Sequence, residues 1–172
     1  MTNEEGSPTN EIAGLRAALA ALSERVRQLE DHLEITQLVA QYGPSVDSGS
    51  AAATAKLWTD DGIFDAVGAI TMRGQQQIAG MVAGQGHQNL IINGCGHVLT
   101  VPHVEIDGDT ATGRSYALNI RWDADTDRFW VARVSANTWT WRRTADGWRI
   151  AERVNANLDG TPEHRAMLAP ER

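Results

Sequence analysis

The sequence predicts an α+β fold in which helices come first and a curled antiparallel sheet follows. Three observations predict it. Apolar residues recur at helical spacing up to about residue 42, two short helix-like stretches come next, and long strand-like stretches fill the chain after residue 90. The chain has 172 residues and is 42% hydrophobic, which is enough for one domain with a buried core. We expect that domain to cover residues 34–160.

A heptad pattern marks the first helix. Its 3.5-residue repeat is typical of a coiled coil, which we predict over residues 12–33, after a disordered tail at residues 1–11. The pattern allows two or three strands, so it predicts a homo-oligomer without fixing the number of chains. The seven apolar positions of the repeat are Ile12, Leu15, Leu19, Leu22, Val26, Leu29 and Leu33.

Beyond the heptads, the apolar face shifts and the helix is predicted to pack on the domain. Gly43 and Pro44 are expected to end it, because proline lacks an amide donor and restricts the residue before it. Asp47 would then follow the break. Further helices are expected at about residues 50–58 and 75–84, on either side of a pair of strands.

Two hairpins are predicted after residue 90. The first turns at Asp107–Asp109 and the second at Thr144–Gly147, both with the Asp-Gly sequences that favour tight turns. Residues 161–172 contain two prolines and are predicted to form an irregular C-terminal tail.

Composition excludes several classes of function. A net charge of −7 without a basic cluster argues against a nucleic-acid partner or an anionic membrane surface. The single cysteine, Cys95, excludes an internal disulfide framework and a cysteine-based zinc site. Metal-binding histidine motifs and glycine-rich nucleotide loops are missing from the sequence, so we expect no metal and no cofactor. The acidic N-terminus and the lack of a membrane-length apolar stretch predict a cytoplasmic protein.

Cofactor-free acid–base chemistry remains, and His97 is the candidate base. It lies between apolar residues of a predicted strand, on the same face as Cys95 and Leu99. A histidine there either hydrogen-bonds a backbone carbonyl or accepts a substrate proton near neutral pH. His87, in the stretch GQGHQN, is expected in an exposed loop.

From about residue 34 to 160 the sequence resembles the SnoaL-like branch of the nuclear transport factor 2-like superfamily. The resemblance is carried by the order and spacing of EITQLVAQYGPSVD, LWTDDGIFD, TMRGQQQIAGMV, HVLTVPHVEIDGDTATGRSYALNI and TWTWRRTADGWRIAERV. It implies a cone-shaped α+β barrel with a deep pocket between the curved sheet and the helices.

Within that family, the chain is most similar to lyases such as bile acid 7α-dehydratase and lindane dehydrochlorinase. The resemblance implies a dyad of His97 and Asp47, assisted by Tyr42 and Arg153. Strict strand alternation puts Arg153 opposite Trp148, so either the polar face lines the pocket or a bulge shifts the register. The alternative for Arg153 is a surface salt bridge with a neighbouring carboxylate, Glu152 or Asp159.

The implied function is a cofactor-independent dehydratase acting on a hydroxylated polycyclic substrate such as a steroid, bile acid or polyketide. The lyases it resembles also imply a homotrimer. A polyketide cyclase or isomerase, and a non-catalytic binding or accessory subunit of a ring-hydroxylating dioxygenase, are the alternatives. The residues expected to line a pocket for a flat hydrophobic ligand are Trp58, Phe64, Leu99, Phe129 and Trp139.

Overall fold

The computed structural model describes residues 8–170, and the α+β prediction is confirmed. The predicted tail at residues 1–11 lies partly outside the described residues. Its described part, residues 8–11, is helical and forms the start of α1. The elements, in chain order, are α1 (Pro8–Asp47), α2 (Ala51–Ala55), β1 (Trp58–Ala66), β2 (Ile70–Arg73), α3 (Gly74–Ala83), α4 (Gln85–Ile92), β3 (Cys95–Leu99), β4 (His103–Asp107), β5 (Thr110–Asp123), β6 (Arg128–Thr144), β7 (Gly147–Asn157) and α5 (Pro162–Ala166).

The heptad residues lie in the first of two compact units, which ends at Leu33. All seven are exposed in the single chain, from 44% for Val26 to 69% for Leu29. An aliphatic row of this kind needs a partner helix, so the coiled-coil assembly stays a prediction. Of the helices in residues 8–170, none combines the length and the apolar character needed to cross a membrane.

The predicted helix break at Gly43 and Pro44 is wrong, because α1 continues through Pro44 to Asp47. The helix ends instead in a Schellman motif. The amide of Gly49 donates to the carbonyl of Val46, and the amide of Ser50 donates to the carbonyl of Ser45. Gly49 has a φ of +69°, which glycine adopts without steric cost. The missing amide of Pro44 costs one hydrogen bond and does not stop the helix.

Gly43 has a packing role instead. A Cβ atom at this position would clash with the backbone carbonyl oxygen of His97, so only glycine allows α1 to lie this close to β3. The close approach brings Asp47, one turn further along α1, against the same strand.

The second unit, Glu34–Arg172, contains a seven-stranded sheet in the described residues. The strand order is β2-β1-β7-β6-β5-β3, and β4 pairs with the other end of β5. β1 and β7 are parallel, and the other pairs are antiparallel. The sheet is therefore curved but open, with edges at β2, β3 and β4, so the predicted cone-shaped barrel does not close.

Three local predictions also need correction. The stretch GQGHQN forms the N-cap, Gly84, and the first five residues of helix α4 rather than an exposed loop. Residues 100–102 interrupt the first predicted hairpin, so β3 and β4 pair separately with β5. Residues 162–166 of the predicted irregular tail form the short helix α5, and residues 171–172 lie outside the described part of the chain.

A β-bulge in β7 decides where Arg153 faces. The register between β6 and β7 shifts at Ala151, which has no partner in β6. The extra residue places Arg153 on the same buried face as Trp148 and Ile150, and Arg153 is 4% exposed. The alternative of a surface salt bridge is therefore wrong. The buried face packs against the end of α1 and forms the core around four tryptophans.

Candidate active site

Asp47 and His97 lie in direct contact, as the family resemblance implies. Nδ1 of His97 lies 2.5 Å from Oδ1 of Asp47, and the backbone amide of His97 donates to Oδ2 at 2.7 Å. Both carboxylate oxygens are thus bound by one residue of β3. Asp47 is the last residue of α1, where the helix dipole disfavours a negative charge, and these hydrogen bonds offset that cost.

The contact fixes the protonation pattern of the imidazole ring. A carboxylate can only accept hydrogen bonds, so Nδ1 of His97 must carry the proton that it donates to Asp47. In the neutral ring, Nε2 is then an unprotonated acceptor. His97 lines an apolar cavity, described below, so the arrangement can accept a proton from a bound molecule.

The environment keeps Asp47 ionised. Burial alone would raise the pKa of its carboxyl group, but hydrogen bonds from the side chain and backbone of His97 outweigh burial and lower it. The thiol of Cys95 contacts the same carboxylate at 3.8 Å. Burial and the charge of Asp47 raise the pKa of Cys95, so this thiol stays neutral and is a poor nucleophile.

Asp47, Cys95 and His97 also form a cluster of potential metal ligands. Two ligands at about 2.0–2.1 Å from a tetrahedral metal would be separated by about 3.3 Å. Nδ1 of His97 and Oδ1 of Asp47 are only 2.5 Å apart, a hydrogen-bonding distance. The cluster therefore fits a hydrogen-bonded dyad better than a metal centre.

Arg153 lies in the wall of the cavity, within an aromatic cage. Its guanidinium carbon lies 4.5 Å from the ring centroid of Tyr42, 5.1 Å from that of Phe64 and 4.7 Å from that of Trp139. Nε donates to Oδ1 of Asn137 at 2.8 Å. Burial lowers the pKa of Arg153, but a guanidinium stays charged at neutral pH. Both Arg153 and Tyr42 line the cavity.

The cavity has a volume of about 180 Å³ and lies between α1, α3, α4 and the sheet. Of the five predicted lining residues, Phe64 and Leu99 face it. Trp58 and Trp139 are 1% and 2% exposed and belong to the core beneath the cavity. Phe129 does not line it at all, because it lies at the start of β6, 67% exposed and packed edge-on against Trp122.

His87 is a cavity residue that sequence reasoning missed. Its Nε2–H donates to the carbonyl of Val46 at 2.7 Å, and its ring centroid lies 5.7 Å from that of His97. This position follows from α4, which the glycines around His87 obscured. The lack of strand-like alternation in residues 85–92 is the signal that could have indicated the helix.

The comparisons agree with this architecture. Residues 27–154 match the family model described as a SnoaL-like domain. The chain belongs to the SnoaL-like domain family. No curated protein matches the chain at a significant level.

Solved structures with a similar fold also match this SnoaL-like protein. A crystal structure of an NTF2-like protein with a cystatin-like fold, from Novosphingobium aromaticivorans, is 45% identical, with a TM-score of 0.85. The similarity covers 88% of this chain and 97% of that chain. A putative aromatic ring hydroxylase from the same species is 26% identical, with a TM-score of 0.61 over 76% of this chain and 90% of its own.

A protein of unknown function from Mycobacterium tuberculosis, 24% identical with a TM-score of 0.68, shares the fold. The similarity covers 83% of this chain and 79% of that chain.

Proposed function

We propose that this SnoaL-like protein is a cofactor-independent lyase that eliminates water from a small hydroxylated ring compound. The observation that carries the proposal is the hydrogen bond from Nδ1 of His97 to Asp47, which leaves Nε2 as a base beside a cavity. Asp47 orients the imidazole and stabilises the imidazolium once it forms, as the carboxylate of a hydrolase triad does.

The proposed reaction conserves atoms and charge. Nε2 of His97 removes a proton from the carbon next to a substrate carbonyl, and the electron pair forms a carbon–carbon double bond as the C–O bond to the hydroxyl group breaks. The imidazolium returns the proton to the departing oxygen, so water leaves and neutral His97 is restored. Arg153 and Tyr42 stabilise the negative charge that develops on oxygen.

The cavity volume limits the size of the substrate that can bind. A cavity of about 150 Å³ holds one benzene ring, whereas pockets for drug-sized ligands span about 300–1,000 Å³. At about 180 Å³, this cavity suits a compound of one or two rings better than the four-ring steroids considered from the sequence. The apolar side chains of Phe64, Leu99 and Met72 provide contact surface for such rings.

A non-catalytic role, as an accessory subunit of a ring-hydroxylating enzyme, is the second candidate. The similarity to the putative aromatic ring hydroxylase supports it. A mere binding module has no need for a charged dyad beside its cavity, so the dyad favours the lyase.

The proposed activity can be tested with 3-hydroxy-1-tetralone, a two-ring β-hydroxy ketone that loses water to give 1-naphthol. We expect the purified protein to accelerate the formation of 1-naphthol, which is measured by its absorbance. The acceleration should be the same after dialysis against a chelator. An acceleration that disappears on dialysis and returns with a metal or nicotinamide would contradict the cofactor-independent mechanism. No acceleration with this probe or with ring-substituted analogues would favour the accessory role.

A further inference from the structure

Two arginines, Arg133 and Arg153, line the cavity. Neither Arg133 nor Arg153 forms an ion pair with a carboxylate anywhere in residues 8–170. Asp47 is the acidic residue nearest the base, and both its oxygens are already bound to His97. The cavity thus has two cationic groups and one ionised carboxylate whose oxygens are already occupied, and the remaining positive charge offers a binding site for an anion.

Arg133 is the better placed of the two for a ligand. Its Nη2 donates to Oδ1 of Asn119 at 3.2 Å, which orients the guanidinium plane from the neighbouring strand β5. Its Nε is buried and has no hydrogen-bond partner within the described residues. A buried donor without an acceptor is costly, and a ligand oxygen would remove that cost.

A further arginine, Arg121, lies near Arg133 and strengthens the attraction of this region for an anion. Burial lowers the pKa of Arg133, and the nearby positive charge of Arg121 lowers it further. Among the described residues, Nε of Arg121 is likewise buried without a hydrogen-bond partner. Arg153 is held differently, since its Nε is used by Asn137 and its plane is covered by aromatic rings.

We propose that the cavity recognises a substrate bearing a carboxylate group, which Arg133, oriented by Asn119, binds through paired charge-assisted hydrogen bonds. A guanidinium fork matches a carboxylate in geometry as well as in charge. The inference rests on the proposed function, because it assigns the carboxylate to the ring compound that His97 deprotonates. Arg153 remains the group that faces the reacting oxygen.

Equilibrium binding of two matched probes tests the proposal without turnover. 2-Naphthoate and 2-naphthamide have the same shape and differ in charge, and both can be titrated by calorimetry near pH 7. We expect the native protein to bind naphthoate about ten- to a hundredfold more tightly than the amide, which is the range of one charge-assisted contact.

Three variants assign the preference to Arg133. Arg133→Gln should reduce the ratio of the two affinities to about one, and Arg133→Lys should leave it at an intermediate value. Arg128→Gln, an exposed arginine on the same strand, should keep the native ratio. Thermal unfolding checks that each variant is folded. If Arg133→Gln does not fold, the affinity ratios of the native protein and of Arg133→Lys decide whether the proposal holds.

The proposal is overturned if native protein binds naphthoate no better than the amide, or does not bind naphthoate. It is also overturned if Arg133→Gln keeps the native preference. A His97→Ala variant should keep the preference while losing turnover, so failure of the anion site and failure of the lyase mechanism give different results.

Discussion

Replacing His97 by Ala should lower kcat by about 10²–10⁴-fold, the range that general acid–base catalysis contributes. The variant loses the only group beside the cavity that we propose as the base. Asp47→Asn should cause a loss of similar order, because an amide can donate a hydrogen bond to Nδ1 and so favour the wrong tautomer. The measurement is steady-state turnover of the tetralone probe, with thermal unfolding to confirm that the variants are folded.

The double variant distinguishes a dyad from two independent residues. If His97 and Asp47 act as one unit, removing both should cost about as much as removing His97 alone. His103→Ala is the matched control, since His103 is an exposed histidine on β4 and should leave kcat unchanged. Losses that multiply in the double variant would show that the two residues do not share a proton-transfer step.

Gly43→Ala should destabilise the fold by about 1–3 kcal/mol, the cost of overpacking a well-packed site. The added Cβ atom would clash with the carbonyl oxygen of His97, so α1 and β3 must move apart. The shift separates Asp47 from His97, and a misplacement of about 1 Å lowers the rate by about a hundredfold. Urea unfolding and turnover of the same sample measure both effects.

Gly80→Ala provides the comparison for this variant. Gly80 is also a helical glycine, but a Cβ atom there would meet no atom of the described residues within 4 Å, apart from the backbone of its own helix. The substitution should therefore leave turnover unchanged and stabilise the fold by about 0.5–1 kcal/mol. Equal destabilisation by both alanines would mean that the contact between Gly43 and β3 is not what restricts position 43.

The dyad could be inferred from the sequence because two signals agreed. His97 stands out within an apolar strand, and the family resemblance pairs it with Asp47 across 50 residues. The course of α1 that brings the two residues together could not be predicted from the local sequence. Proline at position 44 normally ends a helix, yet packing of α1 against the sheet and the cap at Gly49 stabilise its last turn.

The face of β7 on which Arg153 lies depends on the bulged residue Ala151, which the alternation of apolar and polar residues does not reveal. Period-two reasoning fails at a bulge, and Ala151 carries no side-chain feature that marks it as unpaired. The sequence did indicate a conflict, since Arg153 fell on the face opposite Trp148. A register shift is one of the two alternatives that resolve this conflict, and β7 contains it.

Aromatic residues misled the prediction of the cavity lining. Trp58 and Trp139 are core residues, and Phe129 lies on the surface, because hydrophobicity does not distinguish a pocket wall from a core or an exposed strand end. Arg133 and Asn119 were missed for the converse reason. Polar residues in long strands read as solvent-facing unless the curvature of the sheet is known, and here both line the cavity.

The central claim is that neutral His97, oriented by Asp47, removes a proton from the substrate. The measurement that tests it most directly is the pH dependence of kcat/KM for the tetralone probe between about pH 5 and 8. The pKa of Asp47 is lowered, so its carboxylate is already ionised across this range and contributes no change. Only the unprotonated imidazole can act as base, so kcat/KM should rise about tenfold per pH unit at the acid end and then level off. A profile that is flat from pH 5 to 8 in a catalytically active protein would contradict the account.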